Sequence, residues 1–146
     1  MRSKPSNNLD NTANYYNERT QDFVERTLYL DMQNLYKPFL AELAKISPDQ
    51  HRILDLGCGS GRDSLYFTNL GFKVTAIDAS QKLLELAKEN SHQQSLQQSD
   101  IDWQCLNFYD LDNRNWTSSY TGIWACASLL HVPYKELPAM ISTLIP

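Results

Sequence analysis

A chain of 146 residues, 42% hydrophobic and 21% charged, has room for one domain with a packed core and too little for two. Its aromatic share of 11% excludes a disordered chain, and 13 basic against 17 acidic residues exclude a protein that grips nucleic acid by its phosphates. No apolar run approaches the roughly 20 residues of a bilayer span, and the polar start over residues 1–12 lacks the apolar stretch of a signal peptide.

Residues 1–14 are rich in Asn, Ser and Lys and read as an unstructured tail, which leaves 15–146 as the domain. Met32, Leu35, Tyr36, Phe39, Leu40 and Leu43 recur at helical spacing, and Asp31 can cap the start. Pro38 falls inside that pattern and is expected to kink or split the helix near Lys37. Ile53-Leu54-Asp55-Leu56 is a buried strand that runs into Gly57-Cys58-Gly59-Ser60-Gly61. A helix follows over 62–70, with Gly71 where helices often end. Residues 74–78 form a second strand, and Ser80 can cap a helix that buries Leu83, Leu84 and Ala87. The Gln- and Ser-rich stretch 91–100 fits an extension of that helix and a loop equally. Residues 101–108 suit a third strand and 123–127 a fourth. Leu137, Met140, Ile141 and Leu144 mark a last helix.

This rhythm is that of an α/β domain with a mainly parallel sheet. Ligands of such sheets sit at the carboxyl ends of the strands, beside the point where strand order reverses. The bend after Leu56 lies at that edge.

Three of the five glycines in the chain fall in this one bend. Without a Cβ the backbone can turn sharply and lie directly against a ligand. Asp78 ends the next strand, 21 residues after Gly57. Its carboxylate reaches the same edge and can accept from two neighbouring ribose hydroxyls. The spacing is GxGxG, and Arg62 stands where a dinucleotide fingerprint has its last glycine. The Gly-Lys-Ser/Thr of a P-loop is absent. Asp55 and Asp78 make the edge negative, which favours a cationic ligand over a phosphorylated one. S-adenosylmethionine, with a ribose, a sulfonium and an ammonium, meets those conditions. The alternative is a tight strand-to-helix turn with no ligand.

ILDLGCGSGRDSLYF, VTAIDAS and GIWACASLLHVP together resemble the class I S-adenosylmethionine-dependent methyltransferases. The leading segment YYNERTQDFVERTLYLDM and the stretch WACASLLHVP are similar to their small-molecule, tellurite-resistance-like branch. The resemblance runs from about Tyr15 to the C-terminus and implies a three-layer Rossmann-like fold. It implies that Asp55, Gly57, Cys58, Gly59 and Gly61 form the cofactor loop. Asp78 matches the ribose acid, with Ala79 beside the adenine. Phe108, Tyr109, Asp110 and Leu111 match the segment that contacts adenine, and Ala125, Cys126 and Ala127 lie beneath the methionine. Tyr16 and Arg26 belong to the region that folds over the cofactor, where Arg26 can pair with the methionine carboxylate. The family continues into a fifth strand and an antiparallel pair, and this chain stops before them at Ile145-Pro146. Its C-terminal strands are therefore expected to be missing, with the fourth strand an uncovered edge open to a second copy of the chain.

Methyl transfer from a sulfonium gains much of its rate from alignment, and a base is needed only for a protonated nucleophile. His131, Tyr15 and Arg62 are the candidates for contact with the acceptor, with His131 as the catalytic residue. A histidine bonded to a backbone carbonyl explains His131 equally. Cys58 reads as packing beneath the bend, not as a nucleophile. Cys105 and Cys126 read as strand-core residues, and Trp103, Trp116 and Trp124 as packing. His51 and His92 read as solvent-facing. Cys58, Cys105 and Cys126 form no CxxC pair and leave one thiol over in any disulfide scheme. That points to a reducing cytoplasm and away from structural zinc.

The expected function is methyl transfer to a small-molecule thiol, hydroxyl or chalcogen oxyanion, without nucleic acid or membrane. Two other functions stay open: a catalytically incomplete piece that binds the cofactor or only self-associates, and a nicotinamide-dependent oxidoreductase.

Overall fold

β1 (Arg52–Leu56) is buried at four of its five positions, as a strand covered on both faces must be. In the computed structural model, which describes residues 8–94, 100–113 and 120–144, it is a central strand. β2 (Lys73–Asp78) and β4 (Gly122–Trp124) pair with it on either side, and β3 (Ile101–Cys105) pairs with β2. All three pairings are parallel, in the order β3-β2-β1-β4. The direction of travel across the sheet reverses between β1 and β4, so the switch point falls at the end of β1.

Neighbouring residues of β1 serve opposite faces of the sheet, as period-2 geometry dictates. Ile53 joins a core with Val74, Phe67, Leu84 and Trp124. Leu54 and Leu56 join a second core with Ile77, Leu111 and Met140. The first core is covered by α3 (Gln33–Leu43), α4 (Arg62–Asn69) and α5 (Gln81–Gln93), and the second by α6 (Leu137–Leu144). This is the expected three-layer arrangement.

α4 begins at Gly61, whose φ is +80°. A Cβ there would lie 2.9 Å from Ala87 Cβ and 3.0 Å from the Trp103 ring. Gly61 thus lets the bend press against α5 and β3. At its other end Gly71 N–H donates to Thr68 O and Phe72 N–H to Phe67 O, the paired bonds of a Schellman stop. Ser80 caps α5 by accepting from Leu83 N–H at 3.3 Å.

Several expectations change. Residues 8–14 belong to α1 (Asn8–Glu18) rather than to a tail. Within this stretch Thr12 and Ala13 face the central cavity. Residues 1–7 lie outside the described residues. Pro38 does not split α3, which runs unbroken from Gln33 to Leu43. Tyr36 and Leu43, buried on either side of it, supply packing that outweighs one lost backbone bond. Asp31 Oδ1 accepts from Gln33 N–H as expected. The third and fourth strands end early, at Cys105 and Trp124. Cys105 is exposed and Cys126 half-buried, so neither is a strand-core residue. His51 is half-buried, bonded to Ile46 O and stacked on Phe72. Trp116 and residues 95–99 of the Gln/Ser stretch lie outside the described residues.

Two buried carboxylates fix α4, Asp55 tying it to β1 and Asp63 tying it to α3 and β4. Ser64 Oγ donates to Asp55 Oδ2 at 2.6 Å. Asp63 accepts from Tyr36 Oη at 2.5 Å, from Trp124 Nε1 at 2.8 Å and from Arg62 through both carboxylate oxygens. Burial pushes the Asp55 carboxyl up to about 7, against the opposing hydrogen bond from Ser64.

The folded protein therefore holds the Asp55 proton after the unfolded chain has released it. Stability contributed by this group is present below the ordinary carboxylate range and is lost as pH rises to about 7. Asp55→Asn should flatten that part of the pH dependence, read as urea midpoints across the interval. Gly61→Ala should lower stability by about 2–4 kcal/mol, through left-handed strain and overpacking, measured by urea unfolding.

Candidate functional site

The bend after β1 is tied to the end of β2 by three hydrogen bonds. Gly57 N–H and Cys58 N–H both donate to Ile77 O, at 2.8 and 2.9 Å. Gly59 N–H donates to Asp78 Oδ2 at 2.9 Å, and Ser80 N–H donates to Asp78 Oδ1 at 2.8 Å. Burial pushes the Asp78 carboxyl up, while these backbone donors pull it down. An ionised carboxylate has about four acceptor sites, so two remain for a ligand. The tie requires glycine: Gly57 has φ +72°, and a Cβ there would lie 2.4 Å from Ser128 Cβ.

Beneath α1 and α2 (Thr20–Thr27) these atoms border a cavity of about 340 Å³, within the range of small-molecule sites. The bend forms its floor through Gly57, Cys58 and Gly59. Ala79, Leu83 and Phe108 make an apolar wall. Cys126, Ala127 and Ser128 make the opposing wall. Tyr16, Phe23 and Thr27 form the roof, where the Tyr16 and Phe23 rings meet edge to face at 4.9 Å.

Arg62 and Asp63 also line the cavity. Burial alone would lower the basicity of Arg62, and the Asp63 pair more than restores it. Arg62 Nη1 donates in addition to Thr27 O, which carries the roof helix on the same pair. His131 completes the lining, its Nε2 at 3.2 Å from Tyr16 Oη. Burial, followed by the nearby Asp78 charge, raises the Tyr16 hydroxyl.

The predicted site residues divide. Gly57, Cys58, Gly59, Asp78, Ala79, Phe108 and His131 border the cavity, as do Tyr16, Cys126 and Ala127. Asp55 does not; it is 1% exposed and turned toward Ser64. Gly61 is a packing position against α5, as described above. Tyr109 turns away to bond Glu136, Leu111 is in the second core, and Ala125 packs against that core. Arg26 is also absent from the lining, its side chain 74% exposed and paired with Asp22. The reason is helical phase: Phe23 and Thr27 take the inward face of α2, and Arg26 falls outside it. Tyr15 is 52% exposed and sits under the Arg19 guanidinium. Cys58 is buried with its thiol pushed up by burial, which fits packing and not nucleophilic chemistry. Among the described residues no cluster has the makings of a metal site, and no helix is long and apolar enough to cross a membrane.

Sequence reasoning missed Phe23, Thr27, Asn107 and Ser128. Phe23 and Thr27 had a legible signal, the four-residue spacing of one helix face. Ser128 had none, since only the turn after β4 brings it over Gly57.

Comparison with known proteins gives the family and the fold. A family described as "Methyltransferase domain" matches residues 53–145. The chain is 25% identical over 139 residues to "Probable S-adenosyl-L-methionine-dependent methyltransferase TehB" of Haemophilus influenzae (strain 10810), covering 95% of this chain and 45% of that protein. It is 32% identical over 90 residues to "Ubiquinone biosynthesis O-methyltransferase" of Xanthomonas axonopodis pv. citri (strain 306), covering 62% of this chain and 36% of that one. The chain thus spans under half the length of these relatives. Among solved structures, magnesium protoporphyrin IX methyltransferase from Synechocystis PCC 6803 superposes with a TM-score of 0.72 at 20% identity, covering 97% of this chain and 72% of that one. That likeness speaks for the fold. The family match extends over well over half of the sequence, so this chain belongs to the methyltransferase-domain family.

Proposed function

We propose that the chain carries out S-adenosyl-L-methionine-dependent methyl transfer to a small-molecule nucleophile. The observation that carries this reading is Asp78, fixed by Gly59 and Ser80 N–H groups at the rim of a glycine-floored cavity. A dinucleotide reading is weaker, because Arg62 occupies the place of the last glycine and is paired with Asp63.

The residues present fit the cofactor. The free acceptor sites of Asp78 match a pair of ribose hydroxyls, and Ala79, Leu83 and Phe108 match the base. With Asp63 paired to Arg62, Asp78 is the acidic group of the lining left to favour a cation. Arg62 takes over the carboxylate role expected of Arg26, for it is the arginine that lines the cavity. When bound, the cofactor supplies an electrophilic methyl group on sulfonium. The roof of α1 and α2 excludes water, and the bend and walls hold the reactants in line. His131 is the base for a thiol or hydroxyl acceptor: its Nε2 meets Tyr16 Oη, so the acceptor's proton passes to Tyr16 Oη as the Tyr16 proton passes to Nε2.

The net charge of −4 supports a small-molecule acceptor over nucleic acid. The three free thiols suit a reducing cytoplasm. β4 forms one edge of the described sheet, and pairing of two copies through it belongs to the same reading; sedimentation at the monomer mass would remove that part.

Calorimetry with S-adenosylhomocysteine tests the cofactor assignment. Asp78→Ala should weaken binding at least about tenfold, the worth of one hydrogen bond to a charged group. Heat with NAD and none with S-adenosylhomocysteine overturns it. A radiolabelled-methyl assay then separates turnover from binding. His131→Ala should cut turnover about a hundredfold and leave the S-adenosylhomocysteine dissociation constant within about twofold.

A further inference from the structure

The left-handed turn after β4 carries a buried hydroxyl that no described residue satisfies. Ser128 is 6% exposed, and its Oγ has no hydrogen-bond partner. Buried hydroxyls are ordinarily paired, and an unpaired one costs free energy. Thr68 Oγ1 and Asn90 Nδ2 share that condition, but neither residue borders the cavity. Ser128 does.

Its position is bought with backbone strain. Ala127, immediately before it, has φ +55°, and among the described residues it is the non-glycine residue in the left-handed region. Strain of this kind persists where the surroundings impose it, and it gathers at ligand sites. Ser128 also presses on the bend: the space a Cβ at Gly57 would need is taken by Ser128 Cβ at 2.4 Å and Ser128 Oγ at 3.2 Å. The strained turn, the orphan hydroxyl and the glycine thus meet at one point of the cavity lining.

We propose that the Ser128 hydroxyl is a binding contact for the cofactor, satisfied only when the cavity is filled. This rests on the reading of the cavity as an S-adenosylmethionine site. A serine hydroxyl moves between staggered wells by rotation about its Cα–Cβ bond. That rotation is the short route from its unpartnered place beside Gly57 to a polar group of the ligand. The ligand-free protein holds the unpaired hydroxyl at a cost to stability, and binding removes that cost.

The test is Ser128→Ala, with S-adenosylhomocysteine as the probe. Calorimetry should show binding about tenfold weaker than wild type, one hydrogen bond's worth. The ligand-free variant should melt at or above the wild-type temperature, because the unpaired hydroxyl is gone. A dissociation constant within about twofold of wild type overturns the proposal. Weaker binding together with a lower melting temperature also overturns it, since that assigns Ser128 to the turn and not to the ligand. Wild-type protein that binds no S-adenosylhomocysteine defeats the cofactor reading itself, and the proposal falls with it.

Discussion

The site depends on the tie between the bend after β1 and the end of β2. Ile77 O accepts two backbone N–H groups from the bend, and the Asp78 carboxylate accepts a third. These bonds convert a parallel strand pairing, Leu56 beside Ile77, into a cradle whose backbone faces a cavity. Hydrogen bonds to a charged acceptor contribute about 1.5–3 kcal/mol each, and here they oppose the burial that pushes the Asp78 carboxyl up. The same bonds leave part of Asp78 free. Structure and the proposed ligand contact therefore share one side chain.

A second constraint works from below. Asp63 gathers Tyr36 of α3, Arg62 of α4 and Trp124 of β4 around one carboxylate. Removing one partner of such a buried pair is costly because the remaining charge is left uncompensated. Arg62 carries the network upward by donating to Thr27 O in the roof. One ion pair thus links α3, α4 and β4 to the roof of the cavity. Burial is the main cause of the raised Asp55 carboxyl, and the neighbouring carboxylates of Asp63 and Asp78 add to it.

The roof was the least legible part of the fold. α1 begins at Asn8, in a stretch whose composition resembles a tail. Its order comes from contacts far away in sequence: Asn17 accepts from the Ser80 hydroxyl, and Tyr16 meets His131. Local pattern cannot register partners 63 and 115 positions away. Arg26 shows the same limit in reverse. The family resemblance makes it a ligand contact, but the phase of α2 sends it to solvent beside Asp22. Propensity at Pro38 favours a kink or a split, and with Tyr36 and Leu43 buried the helix is not split.

The sequence by itself determined the alternation of strands and helices, the glycine bend, and the acid at the end of the second strand. These are local: apolar runs, missing Cβ atoms and fixed spacings carry them whatever the rest of the chain does. It also determined the glycine stop at Gly71 and the serine cap at Ser80, for the same reason. Only the tertiary structure decided which side chains face the cavity. Asp55, Gly61, Tyr109 and Ala125 lie close to it in sequence yet serve the core, while Phe23, Thr27 and Ser128 reach it from other elements. Facing is set by helical phase, strand ends and long-range hydrogen bonds, and these exist only once the layers have packed.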